Sequence, residues 1–235
     1  MPDLTVIHAT PRFVVIDKPA WLLSVPGIGP DKQDCVASRV RAMFPASRGP
    51  LIAHRLDMET SGLLVLGLDE DAQRNLSAQF ENRAVAKRYV ALLEGTPDAA
   101  EGTIELPLRL DVDNRPYQIV DFEQGRTSLT RFRVLASEPG RTRVEFEPLT
   151  GRTHQLRVHA AFSGDAFWPA REGKPPARSM AQPPPAPRVG LGRPIIGDVL
   201  YGRVRAERLM LHASELDFND PGTGARVRLE SGAPF

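Results

Sequence analysis

The 235-residue chain has a single cysteine, Cys35. That excludes an internal disulfide and any cysteine-based metal cluster, and makes the cytoplasm the default compartment. No apolar run approaches the roughly 20 residues that a membrane span needs. The first residues, Met1-Pro2-Asp3-Leu4, lack the basic and apolar regions of a secretory leader. Lysine is also scarce. Of 30 lysines and arginines only Lys18, Lys32, Lys87 and Lys174 are lysine, and the rest are arginine. Arginine suits bidentate phosphate contacts and stacking on bases, although an arginine-rich genome yields the same excess. The net charge of +1 argues neither for nor against nucleic acid. What is present is a 41% hydrophobic share, enough for one sizeable core in one domain, 1–235, with two lobes possible.

The pattern along the chain is α+β. Phe13 to Ile16 reads as a buried strand broken by Asp17-Lys18-Pro19-Ala20. Asp34 is placed to cap a helix with Val36, Val40, Met43 and Phe44 on one face, ended by Pro45. A second helix runs from about Asp69 to Arg83, capped by Asp69, with Ala72, Leu76 and Phe80 at intervals of four and Arg83 in its last turn. Tyr89 to Gly95 reads as a strand. From 101 to 148 the alternation is that of antiparallel strands, with turns at Asp113-Asn114 and Pro139-Gly140. A helix follows Thr150-Gly151-Arg152-Thr153. Residues 165–193 hold seven prolines and read as a mobile surface insertion. Three short strands, 208–212, 214–218 and 225–229, close the chain. Helices do not alternate with strands, so a mainly antiparallel central sheet flanked by helices and loops is expected.

The most informative stretch is His54-Arg55-Leu56-Asp57-Met58-Glu59-Thr60-Ser61-Gly62, ahead of the apolar run Leu63 to Leu66. On an extended chain Arg55 and Asp57 point to the same side. Alone, such a pair is a solvated surface ion pair. A turn leading into a buried strand, however, holds a carboxylate on rigid scaffold, as a catalytic group requires. Four more stretches accompany it in order: Asp17 to Pro26, Lys87-Arg88-Tyr89-Val90-Ala91, Thr150 to His159, and Arg208 to Ala213. Together the five resemble the motifs of the RluA family of RNA pseudouridine synthases, over nearly the whole chain.

The resemblance implies the family's catalytic fold, with a cleft across the sheet, no cofactor, no metal and a monomer. It implies isomerisation of uridine in structured RNA. Leu22 to Gly27 and the compact N-terminus are most similar to the family's dual-specificity branch, which acts on large-subunit rRNA and the tRNA anticodon stem-loop. The extra N-terminal RNA-binding domain that many members carry is not expected. By resemblance Asp57 is the catalytic aspartate, Tyr89 the stacking and proton-transfer tyrosine, and Arg157 the cation that keeps Asp57 ionised. Arg55 fills the space left by the flipped base. His54, Arg115 and Arg152 join the RNA contacts, and Leu209 and Leu211 wall the uracil pocket. Arg109, Arg126, Arg131 and Arg133 are further candidates for phosphate contact. Two other chemistries compete: a silent RNA-binding module of the same fold, and an N-glycosidase using Asp57 with Glu59. His154 and His159, five apart with no acid in register, make a poor metal site.

Overall fold

The computed structural model describes residues 4–164 and 190–235. The proline-rich stretch read as an insertion falls almost wholly outside them. Two compact units emerge, one built from 1–89 with 211–235, the other from 90–210. The boundaries fall after Tyr89 and after Met210.

In the first unit β1 (Thr5–Ala9) pairs antiparallel with β2 (Phe13–Lys18), and β2 with β3 (Ser61–Gly67). Both inner strands are apolar runs because both of their faces are covered. Val14, Ile16, Leu64 and Leu66 pack with Val36 and Val40 of α1 (Val36–Met43). Phe13, Val15, Leu63 and Val65 turn the other way, as strand alternation dictates, onto Leu76 of α2 (Glu70–Glu81) and Phe218 of β9 (Leu211–Asn219). Each such side chain contributes about 2 kcal/mol when fully buried. The strand breaks later than the sequence suggests: β2 continues through Asp17 to Lys18, which is fully buried.

β3 and β9 run parallel over Ser61↔His212 and Gly62↔Ala213, whereas β1–β2, β2–β3 and β9–β10 are antiparallel. Gly62 is required there. Its φ is +110°, and a Cβ would meet the Ala213 backbone at 2.3 to 2.8 Å. Ser61 Oγ bonds His212 Nδ1 (2.8 Å), His212 Nε2 bonds Ser231 Oγ (3.1 Å), and Ser231 donates to Asp17 Oδ2 (2.7 Å). The expected strands 208–212 and 214–218 merge into one strand, β9, because Ala213 continues the ladder, but that strand begins only at Leu211, and 208–210 lie outside it. β10 (Arg226–Glu230) pairs antiparallel with β9.

The helix ends hold two corrections. α1 is capped by Cys35, not Asp34. Only Cys35 has the extended backbone directly before the first helical residue, and it exchanges bonds with Ser38 in a capping box. Asp34 instead forms a two-pronged ion pair with Arg39 (2.6 and 2.7 Å), and Met43 is exposed. α2 is capped by Asp69 as expected, but Arg83 lies beyond it at φ 58°. Arg83 N–H donates to Phe80 O and Ala84 N–H to Gln79 O, a Schellman ending with Arg83 in the left-handed position.

The second unit takes β4 (Ala86–Glu94) from Val90 onward, then β5 (Glu101–Leu110), β6 (Gln118–Val120), β7 (Arg126–Glu138) and β8 (Arg141–Pro148), in the order β4-β8-β7-β5-β6. The β5–β6, β5–β7 and β7–β8 pairings are antiparallel. α3 (Gln155–Ala161) packs on β5, β6 and β7, with its first six residues buried.

Candidate active site

Asp57 sits half-buried in the loop leading into β3, and its two chain neighbours are anchored. On one side Leu56 N–H donates to Ser24 Oγ (3.1 Å), and the Ser24 hydroxyl donates to Leu56 O (2.7 Å). On the other side Met58 O accepts from Lys18 Nζ (3.1 Å), which also donates to Pro19 O (2.9 Å) and Leu22 O (2.7 Å). An ammonium has three donors, and here each meets a backbone carbonyl. Thr60 N–H closes the turn onto Asp57 O (3.2 Å). The carboxylate is thus carried by a loop clamped from both directions.

Tyr89, the last residue of the first unit, packs partly against the α1-side core. Burial pushes its phenol above the usual tyrosine range, and the Asp57 charge pushes it further. The hydroxyl therefore stays protonated at neutral pH, a donor held within the field of Asp57. Arg55 is exposed. His54 is placed differently from the RNA contact expected of it. Its ring stacks on Phe80 (4.0 Å), its Nε2 accepts from Val65 N–H (3.2 Å), and burial with nearby Lys87 drives its pKa down to about 3. It is a neutral acceptor bracing β3.

In the second unit Arg157 is buried in α3. Its Nε and one terminal nitrogen grip the two oxygens of Asp198 at 2.8 and 2.7 Å, and its guanidinium lies 5.5 Å from the Tyr201 ring centre. Asp198 also accepts from the backbone of Leu200 and Tyr201. The Tyr201 hydroxyl accepts from Gln118 N–H and bonds His154 Nδ1, both at 2.8 Å.

A family model described as RNA pseudouridylate synthase matches residues 12–162, a span containing Asp57, Tyr89 and Arg157. The chain belongs to the RNA pseudouridylate synthase family. It is an isomerase that converts uridine to pseudouridine in RNA. The dual-specificity RNA pseudouridine synthase RluA of Pasteurella multocida is 39% identical over 227 residues, covering 94% of this chain and 90% of that one. The enzyme of that name from Escherichia coli K12 is 36% identical over 239 residues, covering 100% and 95%. Human RNA pseudouridylate synthase domain containing 1 superposes with a TM-score of 0.71 at 28% identity, covering 99% of this chain and 84% of that one.

Elsewhere in this synthase the remaining candidates divide. Arg152 is half-buried and donates to Thr127 O (3.2 Å), while Arg115 is exposed. Arg109, Arg131 and Arg133 are paired with Asp121, Glu147 and Glu145, so Arg115 and Arg126 are the exposed members of that group without an acidic partner among the described residues. Leu209 and Leu211 are both buried. His159 Nε2 bonds Ser128 Oγ (2.7 Å), and burial drives its pKa to about 3. Among the described residues no three His, Cys, Asp or Glu side chains are grouped to hold a metal ion.

Sequence reasoning missed three site residues. Lys18 passed as part of a strand break, and nothing local marks it as buried. Ser24 passed unmarked inside the stretch Leu22 to Gly27. Asp198 did leave a signal: it is an acid inside the apolar run Ile195-Ile196-Gly197-Asp198-Val199-Leu200, where a carboxylate needs a buried cation.

Proposed function

We propose that this synthase modifies uridines in large-subunit rRNA, in the tRNA anticodon stem-loop, or in both, and that Asp57, Tyr89 and Arg157 carry the isomerisation. The relatives called dual-specificity support the choice of substrates. The observation that supports Asp57 is its doubly anchored loop; the Asp57 charge, with burial, also keeps the Tyr89 phenol protonated, and Arg157 is assigned by the family match.

The target uridine leaves its stack at a loss of a few kcal/mol. Asp57 acts at the ribose as a carboxylate while the N1–C1′ bond breaks. The uracil turns, C5 bonds C1′, the C5 proton leaves to solvent, and N1 takes up a proton. Tyr89, protonated, offers its ring face to the base and its O–H as a donor. Burial and the Asp57 charge keep Tyr89 in its phenol form, so in the free enzyme it is a donor. Arg157 serves as the family's active-site arginine, and exposed Arg55 is suited to the space the base vacates.

The test is release of tritium from RNA labelled at uridine C5, using a large-subunit rRNA fragment and a tRNA anticodon stem-loop. Wild type should release label with the base retained. Asp57→Asn should lose at least about 10⁴-fold in turnover, the scale for removing a principal catalytic group, while still binding RNA. Free uracil would indicate a glycosidase, and no change in the RNA would indicate a silent binder.

A further inference from the structure

We propose that Trp21 is a base-stacking platform for the RNA substrate, taking an unpaired nucleobase that flanks the uridine presented to Asp57. The proposal rests on the reading of Asp57 as the catalytic carboxylate.

Three observations support it. Trp21 has φ 66°, in the left-handed region that suits glycine and disfavours a bulky side chain. It is also 47% exposed, so the fold does not place the largest side chain there to fill a core. Strained backbone that presents an exposed group is the pattern of a working surface. Finally, its place relative to Asp57 is fixed. Pro19 O and Leu22 O, on either side of Trp21, accept from the same Lys18 ammonium that holds Met58 O next to Asp57. One buried cation therefore binds the Trp21 loop to the Asp57 loop, all within the first unit.

The chemistry selects the occupant. Unpaired bases in RNA loops are recognised by stacking on aromatic faces, and indole is the broadest of these. Exposed Arg55, two residues before Asp57, supplies positive charge for the adjoining phosphate. An apolar protein partner would not call for a cation there.

The experiment uses the full chain and a stem-loop RNA substrate. Trp21→Gly suits the left-handed backbone, which offsets the loss of the covered half of the indole, so its melting temperature should stay within a few degrees of wild type. Its Kd and KM for RNA should nevertheless rise about 10-fold, within the range of one lost base stack, with kcat falling less. Trp21→Phe should recover most of the loss. Trp168→Phe leaves Trp21 as the sole tryptophan, because the chain has two. Its emission should be quenched by the stem-loop, and an abasic nucleotide beside the target should restore it. Unchanged Kd and KM in Trp21→Gly, or emission indifferent to RNA, overturns the proposal while leaving Asp57 untouched. Turnover by Asp57→Asn would instead overturn the reading beneath it.

Discussion

Lys18 in the first unit and Arg157 in the second are both sealed from water, and they are accommodated in different ways. Lys18 spreads its charge over the carbonyls of Pro19, Leu22 and Met58, which belong to two loops. Arg157 lays a planar fork against one carboxylate, Asp198. The difference follows from the groups. An ammonium is a compact point charge whose three donors diverge, so it gathers separate strands of chain. A guanidinium has parallel donors that match a carboxylate edge, so it fixes its own plane. In this synthase the lysine positions backbone around Asp57, and the aspartate positions an arginine side chain.

The contrast predicts unequal losses, the largest at Asp198. Asp198→Ala strips a buried guanidinium of the carboxylate that grips its edge, a change that costs about 3–5 kcal/mol. In a chain this long that lowers the melting temperature by roughly 10 °C, measurable by calorimetry. A shift of a degree or two would mean that Arg157 holds its place by packing alone.

Lys18→Met comes next. The thioether keeps the volume and removes the charge, leaving three carbonyls short of a donor. With partial access to water the loss should be about 2 kcal/mol, smaller than at Asp198 because no charge is stranded. Turnover should fall by more than that stability change explains, because Met58 O loses its anchor beside Asp57. Stability and turnover equal to wild type would show that the Ser24–Leu56 bonds hold the loop unaided.

These two residues also mark where reading the chain reached its limit. Phe13 to Ile16 and Leu63 to Leu66 were legible because strands covered on both faces are written as unbroken apolar runs. α2 was legible because Asp69 and the four-residue spacing agree. The cap of α1 was not, since cysteine is a weak local signal and Asp34 stands one residue too early. Asp57 and Tyr89 stand out by their resemblance to the family's motifs, yet Lys18 was taken for a strand break because lysine is seldom buried. The Arg157–Asp198 pair joins residues 41 apart in sequence, on either side of the proline-rich stretch. No local pattern encodes such a pairing; only the unexpected acid in an apolar run hints at it.

The smallest effect concerns a neutral group in the first unit. His54 titrates at 6.5 in the unfolded chain and near 3 in the fold, chiefly because it is buried. As pH falls, the unfolded state therefore takes the proton first. The stability that the neutral ring contributes is whole above pH 6.5, drains below it, and is gone near pH 3. His54→Gln can keep an acceptor for Val65 N–H but cannot be protonated. Its urea midpoint should lie slightly below wild type at pH 7.5, through the lost stack on Phe80, and should fall less steeply between pH 6.5 and pH 4. His159 keeps its own acid sensitivity in the variant, since it too is buried and neutral. A flattened slope, not a flat one, is thus the expected result. An acid limb identical to wild type would show that His54 is already protonated in the fold, and that Val65 N–H is not the partner that fixes its tautomer.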